Sequence, residues 1–308
     1  VMTRMMHHQI NDIHQRGEPM AALFARESII YRRFGYGIGS LHERWTIDRH
    51  HNAYARPYER RGRIFFVDPA DISEELPEIF RRSTMDRPGV FQRERHHWER
   101  DSQAPEHGQG GPGGLFYAAY EEGGRVDGYV TYRITGPTLV VNELMAATEE
   151  ASSALWRFCF DIDLISTTEA VKRPVDDPLP WMLADPRRLQ RVTRDALWLR
   201  LVDVGASLML RRYVHADRLV LEVQDELCPW NEGRLELEGS VEEATCRASS
   251  SSPDLIIGVA DLASAYLGTV SFSTLSRAGL VDERTPGALL RADRMFAVQH
   301  QPWTPHSF

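Results

Sequence analysis

Cysteine is scarce in this chain, with three in 308 residues: Cys159, Cys228 and Cys246. They are odd in number, far apart and in no Cys-x-x-Cys arrangement. That argues against a disulfide framework and a cysteine zinc site, and reads as reduced thiols in a cytoplasmic protein. Long apolar runs are missing too. The longest, Pro19 to Ala25 and Leu255 to Ala260, fall far short of the roughly 20 residues that cross a bilayer. No secretory signal is visible at the start, so a membrane is not expected as a partner. A basic stripe is also absent. The net charge is −8, and basic residues are interleaved with acids, as in RRSTMDRPGVFQRERHHWERD. A nucleic-acid binder needs a basic face, so no nucleic acid is expected. The acidic balance weakly favours cationic partners through long-range steering.

What is present is a globular composition, 42% apolar and 26% charged, long enough for about two ordinary domains. Met2 to Gln15 reads as a helix that breaks at Gly17-Glu18-Pro19. PMAALFA reads as a buried strand. In ESIIYRRFGYGIGS, Glu27 and Ser28 suit a helix start, Ile30 and Phe34 share a face, and Gly35 or Gly37 supplies a left-handed cap. The alternative for GYGIG is a dinucleotide loop. That loop needs a strand before it and a helix after it, whereas here a helix precedes and the strand-like SLHERWTID follows.

A second unit opens with the strand RIFFVDPADI and the helix DISEELPEIFRRSTM, acidic in its first turn and basic in its last. Asp101 to Gly114 reads as a Gly/Pro-rich surface loop without the Lys-Ser/Thr of a phosphate loop. LFYAAYEEGGRVDGYVTYRIT reads as a hairpin turning at Gly123-Gly124. TLVVNELMAA is a further strand, and TEEASSALWRFCFDID is a helix capped by Thr148. DDPLPWMLADPRRLQR is a proline-punctuated connection. The sum is a compact α+β unit. From Ala196 a third unit carries a strand and a short helix, then the period-two strands RLVLEVQDEL and GRLELEGS, with EEATCRAS as a third. The segment DLIIGVADLASAYLGTVSFSTLSRAGLV has helical periodicity interrupted by Gly268 and Gly279. GALLRADRMFAV is a final helix.

His7-His8, His50-His51 and His96-His97 are adjacent pairs. Helical neighbours point about 100° apart, which is wrong for a shared metal, so these read as surface residues and no metal is expected. Asp176-Asp177 before Pro178 reads as turn chemistry.

ALWLRLVDVGASLMLRRY, AYLG (Ala265 to Gly268), DPLPWML, AALFARESIIYRRFGYG and the aromatic C-terminus together resemble the enhanced intracellular survival (Eis) family, N-acetyltransferases of the GNAT superfamily. The resemblance runs the length of the chain in order. It implies an α+β fold in three parts: the C-terminal remnant of a catalytic GNAT domain (1–45), a second GNAT-like domain (46–195), and a sterol-carrier-protein-like domain (196–308) whose tail is catalytic. It implies acetyl-CoA as co-substrate, no metal, and acceptors bearing primary amines: aminoglycosides, other polyamines or protein lysines. It also implies a homo-oligomer, typically a hexamer. The family's pyrophosphate loop, Arg-rich with a glycine, belongs immediately before Val1. The sequence begins just after it, so weak acetyl-CoA binding is expected of this polypeptide as it stands.

The resemblance matches Tyr31 to the family's general acid. From the residues alone Tyr31 reads first as a core tyrosine with a bonded hydroxyl; the resemblance reverses that order. A thiol near about 8.5 and a phenol near about 10 are close enough for proton delivery to a leaving thiolate. Phe308 matches the C-terminal residue whose carboxylate serves as base. At about 3.5, an α-carboxyl needs a relaying water or an amine of lowered pKa. Pro302 and Pro305 reduce the entropy of ordering that tail. His306 and Ser307 stand where relatives often carry an acid before the terminal Phe, which weakens attraction for a polyamine. Val1, Met2 and Thr3 match the end of the pyrophosphate loop, and Arg26 and Glu27 the segment that contacts acetyl-CoA after the central strand. Arg26 reads alternatively as an ordinary surface arginine, the commoner fate of that residue type. The apolar segment from Asp254 reads as core, or as the lining of a lipid cavity. The non-enzymatic alternative is a GNAT-like plus sterol-carrier-like module that binds a ligand or partner.

Overall fold

The computed structural model describes residues 1–68, 71–98 and 114–306. The chain divides into two compact units. The first joins Val1–Leu41 to Asp195–Trp303; the second comprises His42–Arg194 with Thr304–His306. The expected loop from Asp101 to Gly114 lies, except for Gly114, outside the described residues.

In the first unit, helix α1 (Met2–Gln15) buries Met6, Ile10 and Ile13, the spacing of one helical face. Strand β1 (Met20–Phe24) follows, then the short helix α2 (Ser28–Arg32) and strand β2 (Gly37–Ile38). Strand β10 (Leu197–Leu201) runs antiparallel between β1 and β2, with Leu23 opposite Trp198 and Gly37 opposite Leu199. Segments far apart in sequence thus complete one small sheet. Side chains alternate along a strand. Leu197, Leu199 and Leu201 enter one apolar cluster, while Trp198 enters another with Met6, Ile10 and Phe34.

The rest of this unit is a five-stranded sheet in the order β13-β12-β11-β14-β15. Its strands are β11 (Asp217–Gln224), β12 (Gly233–Gly239), β13 (Ala244–Ala248), β14 (Leu255–Gly258) and β15 (Val281–Glu283). The strands β11 to β13 stand where the alternation places them. The stretch expected to be helical from Asp254 is a correction, because Leu255–Gly258 pairs parallel with β11 and Val281–Glu283 pairs antiparallel with β14. A four-residue apolar run does not distinguish strand from helix by periodicity; the pairing partner decides. Helices α7 (Val259–Tyr266) and α8 (Phe272–Arg277) lie between those two strands, and α9 (Ala288–Met295) follows.

The second unit is built on a seven-stranded sheet, β4-β5-β6-β7-β8-β3-β9. Strands β3 (Leu41–Asp48), β4 (Arg63–Phe66), β5 (Phe116–Glu122), β6 (Arg125–Thr135) and β7 (Thr138–Ala146) fall in the expected segments. The β5–β6 turn is made by Gly123 and Gly124, both at positive φ. Helix α3 spans Ile72–Thr84. Helix α4 (Glu149–Asp161) starts at Thr148, whose hydroxyl accepts from Ala151 N at 3.1 Å. It packs Leu155, Trp156 and Cys159 on Trp45, Val130 and Val141. Residues Asp127 to Tyr132 of β6 are buried without alternation, as expected of a strand covered on both faces. Two strands are additions to the expected set. β8 (Thr167–Arg173) lies parallel to β7, and β9 (Gln190–Asp195) forms a wholly exposed edge. Neither carries an apolar alternation that a sequence reading can catch. Two short elements, α5 (Leu179–Met182) and a turn of 3-10 helix at Pro186–Arg188, occupy the proline-punctuated connection. In the first unit, Val204–Met209 forms α6, the short helix after β10.

Candidate active site

The stretch from Ser28 to Ser40 is fixed by its neighbours in the first unit. Tyr31 O accepts from Phe34 N at 2.9 Å and from Tyr36 N at 3.3 Å, which folds the chain back on α2. Gly35 takes φ +80°, so the left-handed residue after the helix is Gly35. A helix before and a strand after exclude the dinucleotide-loop reading of GYGIG. Helix α7 holds the same stretch. Arg32 Nη2 donates to Asp261 at 2.6 Å, Ile38 N to Ser264 Oγ at 3.0 Å, and Thr269 Oγ1, just beyond α7, to Gly39 O at 2.5 Å.

Tyr31 is half-buried and packs on the cluster of Met6, Ile10, Phe34, Tyr36 and Trp198. Its ring meets that of Tyr36 edge to face, with centroids 6.1 Å apart. Among the described residues the Tyr31 hydroxyl has no hydrogen-bond partner. A phenol in this position is held by its ring. Tyr36 is 1% exposed. Burial pushes its phenol up to about 12, Arg200 pulls it down and Tyr31 adds to the rise.

The same cluster takes in Met2 from the start of α1, Ala25 after β1, and Ile30. Of the residues expected to meet acetyl-CoA, Met2 therefore shares one apolar cluster with Tyr31. Val1 and Thr3 stand exposed at the helix start, and among the described residues no side chain caps it. The first-turn N–H groups of such a helix lack intrahelical acceptors and suit an anion, so this end of α1 fits a pyrophosphate. Arg26 and Glu27 are exposed, and their side chains form no hydrogen bond or ion pair among the described residues. Glu27 occupies the N-cap of α2, where its carbonyl accepts from Ile30 N at 3.1 Å. Phe308 lies outside the described residues.

Two groups escape the sequence reading. Tyr36 sits in the quoted stretch, five positions after Tyr31, where it reads only as part of a glycine pattern. Arg200 is a charge inside the apolar strand Leu197–Leu201 and is 0% exposed. Its Nη2 donates to Asp225 Oδ1 and Oδ2 at 2.8 and 2.6 Å. A charge in the middle of LWLRL is the available signal, since a buried cation needs a partner. Among the described residues no group of three or more His, Cys, Asp and Glu is arranged to hold a metal ion.

Comparison with known proteins places these observations. Residues 1–39 and 89–201 each match an acetyltransferase (GNAT) domain, and residues 204–305 match a sterol carrier protein domain. An uncharacterised N-acetyltransferase of Streptomyces coelicolor is 38% identical over 318 residues, covering 100% of this chain and 77% of that protein. The N-acetyltransferase Eis of Mycobacterium tuberculosis is 32% identical over 308 residues, covering 96% and 73%. The crystal structure of Eis1 from Mycobacterium abscessus superposes with a TM-score of 0.84 at 35% identity, over 99% of this chain and 77% of that one. A GCN5-related N-acetyltransferase from Anabaena variabilis, 20% identical, shares the fold with a TM-score of 0.84 over 98% of this chain and 76% of its own.

Proposed function

This chain belongs to the Eis family of N-acetyltransferases, and from that footing we propose that it moves the acetyl group of acetyl-CoA to primary amines, by direct attack of the amine on the thioester. The acceptors in this reading are aminoglycosides, other polyamines or protein lysines. The observation that carries it is Tyr31. Its phenol stands on a stretch pinned by α7, its hydroxyl has no partner among the described residues, and it shares a cluster with Met2 at the start of α1.

When bound, acetyl-CoA supplies an activated acyl group with a thiol leaving group. The residues of the chain have three tasks. The first turn of α1, Val1 to Thr3, would offer backbone N–H groups to the pyrophosphate, and Arg26 and Glu27 would lie in the segment that contacts acetyl-CoA after the central strand. Tyr31 delivers its proton to the sulfur as the C–S bond breaks and the C–N bond forms. The attacking nitrogen gives up a proton to a base, a role this reading gives to the carboxylate of Phe308. A negative net charge of −8 steers a polycationic acceptor toward the protein. Assembly as a homo-oligomer and a cytoplasmic location belong to the same proposal.

The test is a calorimetric titration with acetyl-CoA, followed by thiol-release assays with an aminoglycoside, a linear polyamine and a lysine peptide. Weak but saturable binding and release of thiol with at least one amine is the expected result. Binding without transfer to any of the three would overturn the choice of acceptor. Absence of binding would overturn the use of acetyl-CoA by this chain.

A further inference from the structure

Gly35 rests directly on a buried cation. A Cβ added to Gly35 would lie 2.0 Å from Arg200 Nη1, 2.6 Å from its Cζ and 2.9 Å from Val259 Cγ1. The guanidinium thus takes the place of a side chain beneath the turn that follows Tyr31. Arg200 is held there by a polar net without exposure to water. Its Nη2 bonds both oxygens of Asp225 and lies 2.8 Å from Cys228 Sγ. Asp225 also accepts from Asn231 Nδ2 at 2.8 Å and from the N–H groups of Leu227 and Cys228 at 3.2 Å. Among the described residues, Arg200 Nε and Nη1 are buried with no hydrogen-bond partner. Leaving such groups unused is costly. A core position that needed only packing would be better served by Leu or Met. The ion pair therefore asks for a reason beyond stability.

Resting on the reading of Tyr31 as the proton donor, we propose that Arg200 is a positioning residue for acetyl transfer: clamped by Asp225, its guanidinium supports the backbone of Gly35 and so fixes where the Tyr31 phenol stands. The link is short. Tyr31 O accepts from Phe34 N and Tyr36 N on either side of Gly35, so a displaced Gly35 displaces the carbonyl of Tyr31. Beside the turn, the field of Arg200 acts on Tyr36, whose ring meets that of Tyr31 edge to face. A shift of about 1 Å at a catalytic group can cost a hundredfold in rate.

The experiment compares the full chain with Arg200→Lys, Gly35→Ala, the double variant Gly35→Ala/Arg200→Lys, and a control, Leu237→Ala, in the core of the five-stranded sheet. kcat per folded molecule and KM are measured for each, with the ¹³Cζ resonance of Tyr31, identified by its loss in Tyr31→Phe. Arg200→Lys keeps the charge and loses the fork, and kcat falls about tenfold with KM within about twofold. The Tyr31 resonance moves with it. Gly35→Ala places a methyl group against the guanidinium and Val259 at a left-handed φ, so kcat falls at least as far; the shorter lysine side chain in the double variant recovers only the part of the loss that comes from the guanidinium. The control loses thermal stability but leaves the resonance and kcat per folded molecule in place. An unmoved Tyr31 resonance and an unchanged kcat in Arg200→Lys would overturn the proposal. So would a control that changes both to the same degree. If Tyr31→Phe keeps full kcat, the proton-donor reading fails by itself, and the resonance still reports whether Arg200 positions the tyrosine.

Discussion

His306 Nε2 lies 2.6 Å from the carbonyl oxygen of Phe91, 215 residues earlier in the chain. The imidazole ring also approaches Phe80 and Phe91, with centroids 5.9 and 6.0 Å away, and Lys172 Nζ donates to Pro305 O at 3.3 Å. Thr304–His306 is therefore docked on the second unit, through contacts that no motif in the tail announces.

This docking has a pH dependence whose sign follows from the imidazole. Burial, then the charge of Arg93, hold His306 below its ordinary value of 6.5, and His97 adds to that; the carbonyl of Phe91 and Glu143 oppose it. A base held neutral in the folded protein contributes fully above the unfolded value and is lost as pH falls from about 6.5 toward the lower folded value. The tail is expected to loosen in that acid window. If the carboxylate of Phe308 serves as base, His306→Ala lowers kcat about tenfold; it also lowers the urea midpoint at pH 8, where the neutral imidazole contributes fully, and flattens the acid limb of the stability curve. A kcat that stays at the wild-type value would separate the tail from the chemistry.

Tyr31→Phe removes one oxygen and leaves the ring in its cluster. Folding is expected to change little, because the hydroxyl bonds no described residue. If that phenol protonates the leaving sulfur, kcat falls about a hundredfold or more, the usual loss for a general acid. KM for acetyl-CoA remains near wild type, because an interaction made only in the transition state is removed. Steady-state kinetics against both substrates checks this. A fall confined to KM would make Tyr31 a binding residue instead.

Much of this architecture is legible in the sequence, for local reasons. The Thr148 cap, the Gly123-Gly124 turn and the helix from Met2 to Gln15 each arise from residues within a turn or two of one another. The misreadings are non-local. Leu255–Gly258 is a strand because Leu221–Gln224 lies beside it, and Thr167–Arg173 because β3 and β7 flank it. For the candidate site, Tyr31 is singled out only through family resemblance, since an isolated tyrosine carries no chemical signature. Arg200, Asp225 and Tyr36 come together only when β10 enters between β1 and β2. Phe308 has a role in the sequence reading and lies outside the described residues.

Gly37 tests how tightly the segment after Tyr31 is seated. A Cβ there would lie 2.0 Å from Ala260 O and 2.5 Å from Ser264 Oγ, at an ordinary backbone conformation. The nearest obstacle is backbone in the first turn of α7 and cannot rotate away. Gly37→Ala is expected to cost about 1–3 kcal/mol, as overpacking does, and to weaken the Ile38 N–Ser264 Oγ bond. A urea denaturation midpoint gives the value. A cost below about 0.5 kcal/mol would mean that β2 lifts from α7 without penalty.

Arg173 and Asp177 make a buried pair in the second unit, each 5% exposed. The sequence reads Asp176-Asp177 as turn chemistry, and Asp177 Oδ1 does accept from Leu179 N at 2.9 Å. Its other oxygen receives Arg173 Nε at 3.2 Å, while Arg173 Nη1 donates to Leu144 O at 3.0 Å. The guanidinium also lies over the rings of Trp45 and Trp156. Removing only the carboxylate strands a cation among aromatic side chains, so Asp177→Ala is expected to cost about 3–5 kcal/mol. Replacing both charges, Arg173→Met with Asp177→Leu, removes the desolvation penalty along with the attraction. What remains is the lost bonds to Leu144 and Leu179, each about 1 kcal/mol. The double variant is therefore expected to unfold at a higher urea concentration than Asp177→Ala. If the two unfold together, the destabilisation comes from the lost hydrogen bonds and packing, and the stranded charge has relaxed into solvent.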